Sequence, residues 1–122
     1  MPKMLAPAMH LPELPDMPRL LHGLLMQLPA GRVTTYGDLA KALGDVAASR
    51  WAASFLLHDR RAEDWPTHRV VRADGSLGGH MDGTAAKERR LRAEGVAVID
   101  GRVDLAQHAL RDFQCDRPLE TL

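Results

Sequence analysis

The segment "WPTHRVV", Trp65 to Val71, gathers the side chains best suited to chemistry in this chain of 122 residues. Thr67 offers a hydroxyl, His68 an imidazole and Arg69 a guanidinium in consecutive positions, and Glu94 stands further along in "LRAEGV". A histidine oriented by a carboxylate is the usual device for activating a nucleophile, so His68 with Glu94 could serve as base and orienting group for the Thr67 hydroxyl. Threonine is a poor nucleophile, and a His/Glu pair taken alone is more often a plain structural hydrogen bond. The other constellations point away from their usual chemistries. The loop "GSLGGHMDG" lacks the Lys-Ser/Thr ending of a phosphate-binding loop and does not bridge a strand to a helix in the dinucleotide-binding manner. The six histidines, His10, His22, His58, His68, His80 and His108, have no zinc-site spacing, and the single Cys115 excludes both an intramolecular disulfide and a multi-cysteine metal site. No metal and no cofactor are expected.

Composition bounds the protein to one domain. Apolar content of 45% and charge of 26% describe an ordinary soluble chain of a size that supports one core. No apolar run approaches the roughly 20 residues of a membrane span, and the N-terminus lacks a secretory layout, so a cytoplasmic protein without membrane contact is expected, nucleoid-associated if bacterial. Sixteen basic and sixteen acidic residues cancel. From Arg32 to Arg92, however, eleven Lys/Arg stand against eight Asp/Glu, a weak basic bias, while the stretch from Ala93 onward is acidic.

The elements that must position Thr67 and its neighbours follow from periodicity and punctuation. Five prolines in the first eighteen residues predict an extended arm over 1–17. Leu20, Leu21, Leu24, Leu25 and Leu28 predict an amphipathic helix from Pro18 to about Leu28, closed by Pro29-Ala30-Gly31. Thr35 and Asp38 form a capping-box-like start for a short helix that ends at Gly44. A longer helix is expected from Asp45 as N-cap, with Val46, Ala53, Phe55, Leu56 and Leu57 turned to the core. Two helices joined by a tight glycine turn have the layout of a helix-turn-helix, and the small residues Ala47, Ala48, Ser49, Ala52 and Ala53 would let the second approach a surface closely. "HRVV" reads as a short strand. "TAAKERRLRAEG" reads as a helix capped near Asp82 to Thr84 and closed by Gly95, "VAVIDGRVDL" as a hairpin with Asp100-Gly101 in a type I′ turn, and "DLAQHALRDF" as a last helix. The domain is expected over 18–113, with a tail over 114–122.

In order and spacing, "LPAGRVTTYGDLAKALG", "ASRWAASFLL", "PTHRVV", "DGSLGGHMDG", the lysine after it and "LRAEGV" resemble the DNA-binding and active-site domain of the O6-alkylguanine-DNA alkyltransferases, from roughly Leu20 to Val98. The family carries Pro-Cys-His-Arg, whose cysteine takes the alkyl group irreversibly from a flipped base. Thr67 holds that cysteine's place, so the sequence is similar to the alkyltransferase-like branch, which binds lesions without repairing them. A cysteine works because its neighbours lower the thiolate pKa from about 8.5 toward neutrality, and a threonine alkoxide is far less accessible. Many of that branch carry tryptophan at this position, and threonine departs from the pattern. Cys115 lies outside the matched region.

The resemblance implies a mainly α, winged helix-turn-helix-like DNA-binding domain with a short β-hairpin, whose recognition helix around Ala47 to Leu57 enters the minor groove. It implies that Tyr36 crowds the phosphate 3′ to the target and helps rotate the nucleotide, and that Arg50 enters the stack as an arginine finger. Thr35, Ala47, Ala48 and Ser49 complete the expected DNA-contacting set. Thr67, His68, Arg69, Val70, Leu77, Gly78, Gly79, His80 and Met81 are expected to form the lesion pocket, with His80 where the family usually has tyrosine and Met81 where it has a small residue. Glu94 and Asp59 are expected behind that wall, Asp59 in place of the family's usual asparagine. With no thiol to activate, His68 and Glu94 are expected to hold a structural hydrogen-bond network. The implied function is a monomeric, non-enzymatic sensor that flips O6-alkylguanine out of double-stranded DNA and flags it, with nucleotide excision repair proteins as the implied partners. Two other readings remain open: active alkyl transfer to a non-canonical acceptor, and a DNA-binding or interaction module without lesion preference.

Overall fold

Leucine spacing sets the first element of the computed structural model, which describes residues 16–114; the proline-rich arm up to Pro15 and the tail from Cys115 lie outside the described residues. Helix α1 spans Met17–Leu25, with the Asp16 side chain accepting from the Arg19 amide at its N-terminus and Leu21, Leu24 and Leu25 buried. It ends three residues before the expected Leu28. The amides of Gln27 and Leu28 reach back to the carbonyls of Leu24 and Leu25, both at 3.0 Å, a tightening into i to i−3 bonds that closes the helix while still burying Leu28.

Strand β1 (Thr34–Thr35) runs directly into helix α2 (Tyr36–Leu43). Thr35 caps α2, its hydroxyl accepting from the Asp38 amide at 3.0 Å, and Gly44 at φ 97° provides the left-handed C-terminal cap. The reciprocal half of the capping box does not form, because the Asp38 carboxylate pairs with Arg111 instead. Asp45 caps as expected, but it starts a 3-10 turn, Val46–Ala48, ahead of helix α3 (Ser49–His58). That turn points Val46 outward at 69% exposure, which corrects its expected place in the core. Phe55 and Leu56 are buried, while Ala53 and Leu57 are half-buried. Helices α2 and α3 pack against each other across the Gly44 turn, the helix-turn-helix layout.

The expected strand at "HRVV" divides. Thr67–Arg69 forms a 3-10 turn, and only Val70–Val71 is extended, as β2, pairing in parallel with β1 in the register Thr34 to Val70 and Thr35 to Val71. Helix α4 spans Thr84–Ala93; its N-cap is Gly83, which has no side chain to cap with, and the Asp82 carboxylate pairs with Arg90 instead. Strands β3 (Val98–Ile99) and β4 (Arg102–Val103) form the hairpin, with Asp100 at φ 52° and Gly101 at φ 74° giving the two positive values of a type I′ turn. The last helix, α5 (Leu105–His108), is a single turn capped by Asp104. Beyond it the chain extends, because better partners exist elsewhere: the Val33 amide takes the His108 carbonyl, the Leu110 amide takes the Val33 carbonyl, and the Arg32 guanidinium takes the carbonyls of His108 and Ala109.

Two apolar clusters result. One is built from α1, α2 and α3 and includes Val70; the other joins Val33, Val71, Leu77, Leu91, Val96, Val98 and Val103. The alternation of a strand sends Val70 and Val71 to opposite sides, so the β1–β2 pair stands between the clusters. Gly75 secures the second cluster. Its φ is +87°, and a Cβ there would collide with the Val103 backbone carbonyl. The substitution Gly75→Ala is expected to destabilise the domain by at least about 2 kcal/mol, measured by urea unfolding, through a left-handed alanine and a backbone clash together.

Candidate functional site

The 3-10 turn places Thr67 at 7% exposure between the two half-buried aromatic and basic neighbours Trp65 and His68. Behind the turn lies an ion and hydrogen-bond cluster. The His68 Nε2 donates to Glu94 Oε2 at 2.7 Å, and Arg69 grips the same carboxylate in bidentate fashion, Nε to Oε1 at 2.9 Å and Nη2 to Oε2 at 2.7 Å. The remaining arm of Arg69, Nη1, donates to the Leu28 carbonyl at 2.8 Å. Burial by itself would raise the Glu94 carboxyl, but the hydrogen bonds from Arg69 and His68 outweigh it and hold the group below the usual carboxylate range. Burial pushes His68 below the ordinary imidazole value, against the pull of Glu94, which favours a neutral ring. Asp59 does not join this cluster. It caps the short 3-10 turn Arg60–Ala62 and pairs with the Arg61 guanidinium at 2.9 and 3.0 Å.

The glycine loop meets the helix pair at two points. A side chain at Gly78 would touch the Tyr36 ring at 3.6 Å and the Arg72 stem at 3.5 Å, and one at Gly79 would touch Leu57 of α3 at 3.2 Å. The loop therefore lies against the residue that opens α2 and the end of α3. Leu77 and His80 turn inward and Met81 is half-buried against the helical cluster. The His80 Nδ1 accepts from the Asp82 amide at 3.0 Å, which leaves the proton of the neutral ring on Nε2, 3.2 Å from the Arg90 guanidinium. Burial pushes its pKa down, and Arg90 pushes the same way, so this ring too favours its neutral form.

Beneath the loop stands a residue to which the sequence pattern assigned no role. Lys87 on α4 is completely buried; its ammonium donates to the carbonyls of Leu77 and, at 3.1 Å, of Gly79, and it lies 5.9 Å from the Tyr36 ring centre. Burial, with a smaller contribution from Arg72, lowers its pKa to about 7. Burial likewise raises the Tyr36 phenol, which stays neutral. Only the helical phase of Lys87 could have flagged it, since Ala86, Lys87 and Leu91 form the buried face of α4.

The residues expected to touch DNA separate by orientation. Arg50 at the start of α3 and Ala47 in the 3-10 turn before it are exposed, Ser49 and Tyr36 are half-buried, and no hydrogen bond or ion pair to another described residue holds the Arg50 guanidinium. Thr35 and Ala48 face inward, because Thr35 spends its hydroxyl on the cap and Ala48 belongs to the helical cluster. A cleft of about 580 Å³ opens beside the Thr67 turn, with Trp65, Pro66, His68, Arg69 and Arg90 in its wall; Thr67 is not part of that wall. Among the described residues, no group of three His, Cys, Asp or Glu is placed to hold a metal ion, and no helix is long and apolar enough to cross a membrane.

Comparison with known proteins gives a consistent result. Residues 19–96 match the family described as "6-O-methylguanine DNA methyltransferase, DNA binding domain". A bifunctional methyltransferase/endonuclease of Picrophilus torridus is 44% identical over 88% of this chain, and the chain spans about a third (36%) of that relative's length. A DNA base-flipping protein of Escherichia coli is 33% identical, the match covering 75% of this chain and 71% of that one. In fold, the chain superposes on Schizosaccharomyces pombe Atl1 in complex with DNA containing O6-carboxymethylguanine, with TM-score 0.72 and 19% identity over 83% of this chain and all of that one.

Two pH dependences follow from the site. Glu94 is held below its unfolded value, so its contribution to stability is complete above about pH 4.3 and is lost as pH falls through the folded value; His68, also lowered, adds to the loss below about pH 6.5. Glu94→Gln is therefore expected to cost about 2–4 kcal/mol at pH 7 and much less near pH 3, read from urea midpoints at the two pH values. Lys87 acts in the same direction in a higher window: with a folded value of about 7, the unfolded chain binds more protons up to about pH 10.4, so stability climbs with pH across that window. Melting curves from pH 7 to 9 should show the climb, and Lys87→Met should remove it.

Proposed function

The chain belongs to the 6-O-methylguanine DNA methyltransferase DNA-binding domain family, and from that premise we propose that it is a lesion sensor: it binds duplex DNA, flips O6-alkylguanine out of the helix and retains it without transferring the alkyl group. The observation that carries the reading is the environment of Thr67. The turn, the histidine and the carboxylate that would surround an acceptor thiol are all in place, but the acceptor position holds a hydroxyl. The amplitude of the chemistry decides the outcome. An alkyl group leaves guanine for a strong, soft nucleophile, and a buried neutral imidazole cannot supply the driving force to ionise a threonine side chain near pH 7.

Binding is assigned to the helix pair. Arg50, exposed and unheld at the start of α3, is the side chain to enter the space a flipped base vacates, and its guanidinium can stack while hydrogen-bonding the orphaned cytosine. Tyr36 stands where α2 begins, against the glycine loop, as the group that crowds the rotating nucleotide. Minor-groove information is degenerate, so affinity should follow the ease of flipping rather than base sequence. The fold likeness to a lesion-bound Atl1 and the similarity to a base-flipping protein support this assignment. Nucleotide excision repair proteins are the proposed recipients of the flagged lesion.

The test is a fluorescence titration of two short duplexes that differ only in O6-methylguanine against guanine. The lesion is expected to bind at least about tenfold tighter, roughly 1.4 kcal/mol, with Arg50→Ala removing most of the difference. Coincident curves would sink lesion sensing and favour a plain DNA-binding module. Intact mass after incubation with the lesion duplex is expected to stay unchanged; a gain of one methyl would instead establish transfer. With net charge zero and few phosphate contacts, the salt dependence of binding should be shallow, with a log-log slope no steeper than about −6.

A further inference from the structure

A completely buried lysine with no carboxylate partner among the described residues is costly, because a methionine would fill the same stem volume without desolvating an ammonium. Helix α4 has other means of docking, since Ala86 and Leu91 are buried on the same face. What distinguishes Lys87 is where its charge goes. It takes the carbonyls of Leu77 and Gly79, which flank Gly78, the glycine at φ 72° whose α-carbon faces the Tyr36 ring. The ammonium also faces that ring from 5.9 Å.

We propose that Lys87 is a positioning residue for lesion recognition: its ammonium clamps the carbonyls on both sides of Gly78 and sets how the glycine loop lies against Tyr36, so that it governs discrimination between alkylated and normal guanine. This rests on the lesion-sensing reading and adds to it a residue that touches no DNA itself. A charged donor holds a carbonyl about twice as strongly as a neutral one, so the clamp is firmest when Lys87 is protonated. The groups facing it are the Tyr36 ring from α2, Arg72 from the end of β2, and His80 with the two carbonyls from the loop. His80 and His68 are pushed below the ordinary imidazole value and Tyr36 above the ordinary phenol value, so all three stay neutral between pH 7 and 8.5, and within this cluster Lys87 alone changes charge there.

The experiment measures the ratio of affinities for the O6-methylguanine duplex and its unmodified twin, for the parent and for Lys87→Met, at pH 6.5, 7.5 and 8.5. The parent ratio is expected to be at least about tenfold at pH 6.5 and to fall about threefold or more by pH 8.5. Lys87→Met should melt no lower than the parent at pH 7, bind the unmodified duplex within about twofold of it, and show a ratio near one at every pH. A variant that keeps the parent's ratio would overturn the assignment. If the variant fails to fold, the parent's own profile decides, and a ratio that stays flat from pH 6.5 to 8.5 would overturn it. A parent ratio of one at every pH removes the lesion-sensing reading itself, a result distinct from a discriminating parent with an equally discriminating variant.

Discussion

The Arg69–Glu94 ion pair is the constraint on which the site depends. Three segments far apart in sequence meet at it: the end of α1 through the Leu28 carbonyl, the 3-10 turn through Arg69 and His68, and the end of α4 through Glu94. A half-buried ion pair repays its desolvation only when each charge is fully hydrogen-bonded, and here the planar guanidinium satisfies a carboxylate and a carbonyl at once. Remove that clamp and the turn carrying Thr67 loses its anchor on both sides. The position that presents an acceptor in the family is thus held by a network that does not need the acceptor to exist.

Two strands of two residues each finish the arrangement. The parallel register of Thr35 with Val71 makes Tyr36 and Arg72 leave the pair side by side, and the glycine loop that follows Arg72 folds back onto Tyr36. The same pair separates the helical cluster from the hairpin cluster, so the helix pair α2 and α3 and the buried face of α4 are joined through the turn that carries Thr67. A domain with so little sheet gains its rigidity at this seam from side chains, above all Arg69, Arg32 and Lys87, each donating to backbone carbonyls of other segments.

Charge is distributed to match. Arg50 stands exposed and free of described partners at the start of α3, as its proposed insertion into DNA requires. Lys87 is its opposite, wholly enclosed and spent on the loop. A chain of zero net charge can engage DNA through a few such placed cations, where a strongly basic one would rely on its overall field.

The sequence alone determined the helix pair, the Thr35 and Gly44 caps, the type I′ hairpin and the order of motifs that identifies the family, because each of these is encoded within a few neighbouring residues. It also placed His68 with Glu94, since the family pattern links them. It misjudged the end of α1 and the outward turn of Val46, where the chain tightens locally into 3-10 geometry, and the split of "HRVV" and the last helix, where a local preference competes with a partner distant in the chain. Ala109 and Leu110 leave the helix because Val33 and Arg32 offer better hydrogen bonds than the next helical turn. Lys87 shows the same limit at the site itself. In sequence it is one cation in a charged helix, and only the tertiary structure, by closing the loop over it and removing water, buried its ammonium against two loop carbonyls and lowered its pKa to about 7.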